Sequence, residues 1–302
     1  MEFPKRFKER YSSLVDDPEK LFATLLKPLD KSFRVNTLKS NIKEVQKRFK
    51  EYGIKIQQVP WYKEAFVTKE LRIGETLEHF LGYIYNQEIT SMLPVLILKK
   101  ELEKATLVLD ACAAPGSKTT QMAGIIGNRG LIVANDLIYK RIKALKFNIE
   151  RIGALNILIT NKDLTRFPDI KFDVVLLDAP CSSEGRIRKD YEVLSTWSER
   201  TIKENSKIQK KLILKAYDLL NENGTLVYST CTFAPEENEE VVNYLLNKTN
   251  AKLMKINIPK LKTSSGITKF EKKEYNKEVS KAIRIWPHQN DTGGFFIAKI
   301  KK

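Results

Sequence analysis

Five short, nearly continuous apolar runs limit most strongly what this chain can fold into. They are TLVLDAC (106–112), GLIVAND (130–136), LNILITN (155–161), FDVVLLD (172–178) and GTLVYSTC (224–231). Segments with helical periodicity separate them, notably over 139–153 and 198–224. Because buried parallel strands have continuous apolar sequences and alternate with helices, the pattern predicts an α/β fold, a parallel sheet with helices on both faces.

The residues before the first of these runs show a different pattern. It predicts strands over 32–38, 54–62 and 65–70, and an amphipathic helix over 41–53 that ends at Gly53. An apolar stretch over 85–104, which contains Pro94, is expected to be a linker helix. We therefore expect a small N-terminal α+β accessory domain with its linker over 1–105, and a larger domain over 106–302 that finishes with a strand.

The charge of the chain favours a polyanionic partner. Lys and Arg total 53 against 37 acidic residues, a formal net charge of +16. Residues 252–284 hold ten basic and three acidic residues, a net charge of +7. The alternative is a Lys-rich solvated surface with no such partner.

Neither a membrane span nor export is expected. The sequence has no run of about 18 apolar residues, and its start, MEFPKRFKER, lacks the apolar core of a secretion signal. The expected location is the cytoplasm.

Cysteine and histidine are scarce. Cys112, Cys181 and Cys231 form no CxxC pair, and His79 and His288 are the only histidines. This set makes a poor zinc site, so we expect no metal, and the odd number of thiols predicts free cysteines rather than disulfides.

The loop after the first apolar run, within DACAAPGSKTTQ (110–121), is predicted to bind a ligand. It is not a Walker A loop, because Ser117 separates Gly116 from Lys118, and no GxGxxG is present. Ala113, Ala114 and Gly116 allow close approach to the backbone, and a helix that starts near Ser117 directs its N-terminus at a carboxylate. S-adenosylmethionine offers such a carboxylate.

Acidic residues at successive strand ends extend this prediction. Asp136 suits two ribose hydroxyls, Arg141 follows it by about one helical turn, and Asp163 is placed to meet an adenine amino group. Each acid alone is more simply a cap or loop residue. The full predicted cofactor set is Cys112, Ala113, Ala114, Pro115, Gly116, Ser117, Lys118, Asp136, Arg141, Asp163 and Asp178.

Several motifs together resemble a known family. DACAAPGSKTTQ, LLDAPCSSEGR and YSTCTFAPEENEEVV occur in that order, with FRVNTLK, YNQEITSMLP and RIWPHQNDTGGFF around them. They resemble the Nop/Sun family of RNA (cytosine-5) methyltransferases over about residues 32–300, most like its compact archaeal tRNA enzymes. The resemblance implies a Rossmann-like S-adenosylmethionine-dependent methyltransferase sheet and an N-terminal domain that binds RNA. Ser117 departs from the family, which usually has a second glycine there.

The thiols fit the chemistry of this reaction. Carbon 5 of cytosine is a weak nucleophile until a thiolate adds at carbon 6, and an acid at N3, predicted to be Asp178 in a dry pocket, stabilises the ring. DNA enzymes use the cysteine of Pro-Cys, which would favour Cys181. The resemblance implies instead that Cys231 attacks and Cys181 assists release. A cation such as Lys118 is expected to lower the pKa of both thiols.

Alternatives remain at this stage. Methylation of rRNA rather than tRNA, a non-catalytic RNA assembly factor, DNA cytosine-5 methylation and adenine amino methylation share parts of the pattern. The acidic run 235–240 is predicted to be the first turn of a helix rather than a metal site. RIRKD (186–190) is expected to meet phosphates, and Trp286 and His288 either touch RNA or form a packed turn. Nothing indicates a helper protein.

Overall fold

The computed structural model describes residues 2–302, so residue 1 of the predicted N-terminal domain lies outside the described residues. The strands are β1 Lys31–Val35, β2 Gln57–Val59, β3 Tyr62–Thr68, β4 Ile84–Asn86, β5 Leu107–Asp110, β6 Leu131–Asn135, β7 Ile157–Thr160, β8 Phe172–Asp178, β9 Leu220–Thr230, β10 Lys252–Met254, β11 Ser264–Ser265, β12 Lys269–Phe270, β13 Lys273–Glu274, β14 Ile283–Ile285 and β15 Phe295–Lys301.

The helices alternate with these strands. They are α1 Lys5–Ser12, α2 Pro18–Leu25, α3 Ile42–Glu51, α4 Leu77–Phe80, α5 Leu93–Ile97, α6 Lys99–Leu102, α7 Ser117–Ile126, α8 Tyr139–Ile152, α9 Glu192–Ser195, α10 Glu199–Asp218, α11 Glu239–Lys248 and α12 Pro287–Asn290. Short 3-10 turns cover Ile73–Glu75, Thr90–Met92, Leu164–Arg166, Glu184–Arg186 and Lys277–Lys281. Across residues 2–302, no helix combines the length and apolar character needed to cross a bilayer.

The large sheet has the strand order β7-β6-β5-β8-β9-β15-β14-β11. Strands β5 to β9 are parallel, as the apolar runs predicted, and β15, β14 and β11 add antiparallel strands beyond β9. Alternate residues of β8 face opposite sides, so Val175 packs in one apolar cluster and Val174 in another. Helices α10 and α11 cover the first side and α7 and α8 the second, so the predicted helices lie on both faces.

A smaller antiparallel sheet of order β2-β3-β1-β4 forms the N-terminal part, with α3 packed on it through Val45 and Phe49. The helix predicted over 85–104 is wrong at its start, because Ile84–Asn86 pairs with β1 as an edge strand. The rest is broken into short helical segments, with Pro94 in the first turn of α5, where its missing N–H costs nothing.

The first two helices pack on the larger part of the chain rather than on the small sheet. Phe7 and Tyr11 of α1 and Leu21 of α2 share an apolar cluster with Phe233 and Trp286. Trp286 is buried and stacks on Phe233 with ring centroids 5.1 Å apart, so it belongs to a packed turn. The domain division at residue 105 remains a prediction.

Candidate active site

The loop between β5 and α7 forms one wall of a cleft at the carboxyl ends of the parallel strands. Gly116 has a φ of +103°, which residues with a Cβ rarely adopt, and a Cβ there would lie 2.9 Å from Leu145 Cδ1. No side chain caps the start of α7 at this glycine. The loop is therefore shaped as a tight turn with an uncapped helix start, and its binding of a ligand stays a prediction.

This cleft, here called the thiol cleft, has a volume of about 330 Å³. Its lining includes these members of the predicted site: Cys112, Ala113, Ala114, Pro115, Ser117, Lys118, Arg141, Asp178 and Cys231. Gly116, Asp136, Asp163 and Cys181 are not part of the lining. The structure thus brings the loop between β5 and α7, two of the three thiols, Cys112 and Cys231, and Asp178 to a single cavity.

Asp136 is buried behind the loop and holds its shape. Its carboxylate accepts hydrogen bonds from the backbone N–H of Ala114 at 3.1 Å and of Ile138 at 3.0 Å. Arg141 Nη1 lies 3.3 Å from the same carboxylate, and Arg141 also donates to the Ala114 carbonyl. Asp163 instead caps the turn 164–166, accepting from Thr165 N at 2.9 Å. Their roles toward ribose and adenine stay predictions.

Two further groups line or underlie the loop. Burial raises the pKa of the Cys112 thiol above its ordinary value. Burial also raises the pKa of Asp110 to about 7, although Thr119 Oγ1 donates to it at 2.6 Å. Asp110 Oδ1 is buried without a hydrogen-bond partner among residues 2–302.

The two remaining cysteines meet because β8 and β9 are neighbouring parallel strands. Asp178 and Ser229 are paired in register, so the residues just beyond both strand ends lie side by side. Cys181 Sγ and Cys231 Sγ are 3.3 Å apart, and both thiols are free. Fifty residues of sequence separate a pair that the fold brings into contact.

The contact shifts the pKa values of the two thiols in opposite directions. A hydrogen bond from Cys181 lowers the pKa of Cys231 below its ordinary value against the effect of burial, and Ser183 and Arg186 act in the same direction. The same contact raises the pKa of Cys181 well above its ordinary value. The first thiolate of the pair therefore forms on Cys231, the thiol that lines the cleft.

Lys118 does not serve the thiols as the sequence suggested. Its Nζ lies 2.8 Å from Asp178 Oδ2 and donates to Ser91 Oγ, also at 2.8 Å. Asp178 accepts a second hydrogen bond from Ser229 Oγ at 2.7 Å, and its side chain is 29% exposed. The prediction that Asp178 lies in a dry pocket is therefore wrong, because its carboxylate forms an ion pair with Lys118 at the cleft wall.

Two buried glutamates beneath the thiol loops were missed by the sequence reasoning. Glu184 accepts from Tyr11 OH and Trp197 Nε1, both at 2.5 Å, and from Thr232 Oγ1 and Phe233 N at 2.7 and 2.9 Å. It ties α1 to the segments that follow both cysteines. The only sequence signal was an acidic residue three positions after Cys181.

Glu237 supports the loop of Cys181 from the other side. It accepts from Ser182 N at 3.1 Å and from Gln209 Nε2 at 2.8 Å. Burial raises its pKa to about 8. This carboxyl is protonated below that pH, and its place in the acidic run 235–240 gave no sign of burial.

The acidic run otherwise forms separate ion pairs. Glu239 and Glu240 lie in the first turn of α11, as predicted, whereas the two glutamates before them precede the helix. Glu239 binds buried Arg284, and Glu240 binds Lys210 and Lys273, each at 2.7 Å. Within residues 2–302, no group of three or more His, Cys, Asp or Glu is arranged to hold a metal ion.

The basic side chains of the run 186–190 have different environments. Arg188 is buried and donates to the carbonyls of Lys27 and Thr292, both at 3.0 Å, so its predicted contact with phosphate is wrong. Arg186 and Lys189 line the thiol cleft and remain available.

Comparison with known proteins identifies the family. Residues 95–301 match the family described as 16S rRNA methyltransferase RsmB/F. The chain belongs to this RsmB/F (Nop/Sun) family. Residues 3–89 match the N-terminal domain of 16S rRNA methyltransferase RsmF. The predicted family, fold class, S-adenosylmethionine-dependent methyltransferase activity and RNA substrate are thereby confirmed.

Individual relatives of this RsmB/F protein carry cytosine-C5 and ribosomal RNA names. A tRNA (cytosine(49)-C(5))-methyltransferase of Pyrococcus abyssi is 48% identical over 99% of this chain and 96% of its own length. Ribosomal RNA small subunit methyltransferase F of Psychromonas ingrahamii is 37% identical over 99% of this chain, which spans only 63% of that protein.

A solved structure supports the cofactor. The structure of NSun6 from Pyrococcus horikoshii with SFG, an analogue of S-adenosylmethionine, has a TM-score of 0.84 and 25% identity. It covers 99% of this chain and 98% of its own. The residues of the thiol cleft fit that cofactor, because the N-terminus of α7, which no side chain among residues 2–302 caps, suits its carboxylate.

Proposed function

We propose that this RsmB/F enzyme methylates carbon 5 of cytosine in tRNA, in the cytoplasm, through a transient bond between Cys231 and the base. One observation carries the proposal. Cys231, whose pKa is lowered by Cys181, lines the same cleft as Asp178 and the cofactor loop. Nucleophile, ring-binding acid and methyl donor site therefore share one cavity of about 330 Å³.

The first step is attack on the ring. Cys231 thiolate bonds to carbon 6 of the flipped cytosine, and the displaced electron pair spreads over carbon 5 and N3. Asp178 and Lys118, joined at 2.8 Å, hold a proton at the cleft wall where N3 develops charge. Bound S-adenosylmethionine supplies an electrophilic methyl group for the activated carbon 5.

The last step releases the product. A base removes the carbon 5 proton, the electron pair returns to the ring, and the bond between carbon 6 and Cys231 breaks. The Cys181 thiol, with its sulfur 3.3 Å from that of Cys231, donates a hydrogen bond to the departing Cys231 thiolate. This hydrogen bond stabilises the charge of the leaving thiolate. The raised pKa of Cys181 keeps it protonated for this task.

Support for tRNA comes from a relative that matches over nearly its whole length, 96%. That Pyrococcus abyssi protein is named for cytosine 49 of tRNA and shares 48% of its residues with this chain. A ribosomal RNA substrate is the second candidate, favoured by the name of the matching family. The paired thiols argue against a non-catalytic assembly factor, because such a protein needs no activated cysteine.

The test is label transfer from tritiated S-adenosylmethionine to a tRNA transcript, an rRNA fragment and DNA. We expect 5-methylcytosine in tRNA. Cys231→Ala is expected to abolish transfer, Cys181→Ala to accumulate an RNA adduct that resists denaturant, and Ser195→Ala, an exposed control, to behave as wild type. Label confined to DNA or to adenine would overturn the proposal, and an adduct formed by Cys231→Ala would reverse the two roles.

A further inference from the structure

Two more clefts continue from the thiol cleft along the N-terminal sheet. The second cleft, about 300 Å³, shares Asn86, Glu88 and Lys189 with the thiol cleft and extends to the loop 71–75. The third cleft, about 270 Å³, shares Ser32 and Glu88 with the second and reaches the half-buried Trp61. These three adjacent clefts, which share lining residues and of which the first contains Cys231, are together called the groove.

The junction of the first two clefts carries unpaired positive charge. Arg186 and Lys189 line the thiol cleft, and Lys31 and Lys189 line the second. None of these three side chains has an ion-pair partner within 4.0 Å in the described part of the chain, residues 2–302. Burial lowers the pKa of Lys189, and Arg186 and Lys31 lie close enough to act in the same direction, whereas Glu88 and Asp190 oppose them.

The one acid that lines all three clefts, Glu88, forms no ion pair with Lys31, Arg186 or Lys189 within residues 2–302. The carboxylate of Glu88 accepts hydrogen bonds from Thr90 N at 2.8 Å, Ser91 N at 3.0 Å and Gly293 N at 3.2 Å. It therefore serves the backbone of the cleft wall. Cations that lie together without an ion-pair partner are a binding site for an anion from outside the protein.

The walls of the second cleft suit a nucleobase. Asn86 lines both the thiol cleft and the second cleft, and its Oδ1 is buried without a hydrogen-bond partner among residues 2–302. Exposed Leu71 supplies an apolar surface in the same cleft. Sequence-selective RNA recognition uses splayed bases that contact apolar or aromatic surfaces and donate or accept at their edges.

We infer that this groove binds the RNA strand next to the target cytosine, with Lys31, Arg186 and Lys189 on the phosphates that flank the target nucleotide and the adjoining base in the second cleft. The inference rests on the proposed function, because it places the flipped cytosine beside Cys231. It assigns the loop 71–75 and Asn86 to the reading of sequence around the target.

The first test measures tRNA affinity against salt without cofactor. The double variant Lys31→Ala/Lys189→Ala loses two contacts with single-strand phosphates. The magnitude of the slope of log K for tRNA binding against log salt concentration should therefore fall by about 1.4, and the tRNA affinity at 0.15 M salt should fall roughly tenfold. The control is Lys203→Ala/Lys207→Ala, two exposed lysines of α10 that line none of the three clefts. Equal slopes for both double variants would refute the inference.

The second test locates the adjoining base directly. RNA with 5-fluorocytidine at the target traps the Cys231 adduct, because fluorine cannot leave as a proton does, and 4-thiouridine beside it is then photo-crosslinked. Crosslinks to 29–32, 71–75 or 86–89 support the groove, and crosslinks elsewhere contradict it. Failure of the wild type to form any adduct would instead count against the proposed function, so the two failures are distinguishable.

Discussion

The carboxylate of Glu184 offers the sharpest mutational test of how the thiol loops are held. It is fully buried and accepts four hydrogen bonds, two on each oxygen. Glutamine at this position keeps one carbonyl oxygen and replaces the other by an NH2 group that cannot accept. Two of the four donors, at least one of them buried, then lose their partner.

The cost follows from that count. A buried donor left without a partner costs about 1–3 kcal/mol, so Glu184→Gln should destabilise the protein by about 2–6 kcal/mol. Gly185 N also donates to the carbonyl of Cys231 at 2.8 Å, so displacement of this segment moves one thiol relative to the other. The rate of methyl transfer should fall by more than the loss of folded protein alone accounts for.

The assay is urea unfolding followed by circular dichroism, together with initial rates of methyl transfer under conditions where each variant is folded. Tyr11→Phe, which removes a single donor to Glu184, should be less destabilising than Glu184→Gln. Glu222→Gln is the control, since its exposed carboxylate lies 3.9 Å from Lys302 and contributes little. Stability of Glu184→Gln within about 0.5 kcal/mol of wild type would refute this account of the carboxylate.

Three further predictions use other buried charges. Arg284→Met should cost about 3–5 kcal/mol in urea unfolding because it leaves buried Glu239 unpaired; equal stability would contradict that. Alkylation of Cys231 by iodoacetamide should show a higher pH midpoint in Cys181→Ala, because the hydrogen bond that lowers its pKa is lost; an unchanged midpoint would oppose the assignment. The pKa of Glu237 is raised from 4.5 to about 8, so the stability gained from its proton is present below pH 4.5 and lost as pH rises through 8. Wild type should therefore lose stability relative to Glu237→Gln between pH 5 and 9, and parallel pH curves would show otherwise.

The parallel core was predictable because its strands are short and apolar on both faces. Each of β5 to β8 lies inside its predicted run, and β9 begins four residues earlier than expected because α10 ends at Asp218. The strands β10 to β14 were not found. They have two or three residues each in a Lys-rich segment, too short for periodicity to register.

The site was predictable as a set of strand ends but not as a set of contacts. Sequence order placed Asp178, Cys181 and Cys231 near one edge of the sheet, because parallel strands share that edge. It did not show that Lys118 binds Asp178 rather than the thiols, or that Glu184 lies beneath both loops. Those contacts join residues 48 to 173 positions apart, and only the packed structure defines them.

The most direct test of the central claim identifies the sulfur that bonds to the base. Wild-type protein is trapped on tRNA with 5-fluorocytidine at the target, digested with nuclease and protease, and the modified peptide is sequenced by mass spectrometry. The account predicts a pyrimidine nucleotide on the peptide that contains Cys231. The same mass on the peptide that contains Cys181, or methylation of ordinary tRNA with no trapped adduct at all, would contradict it.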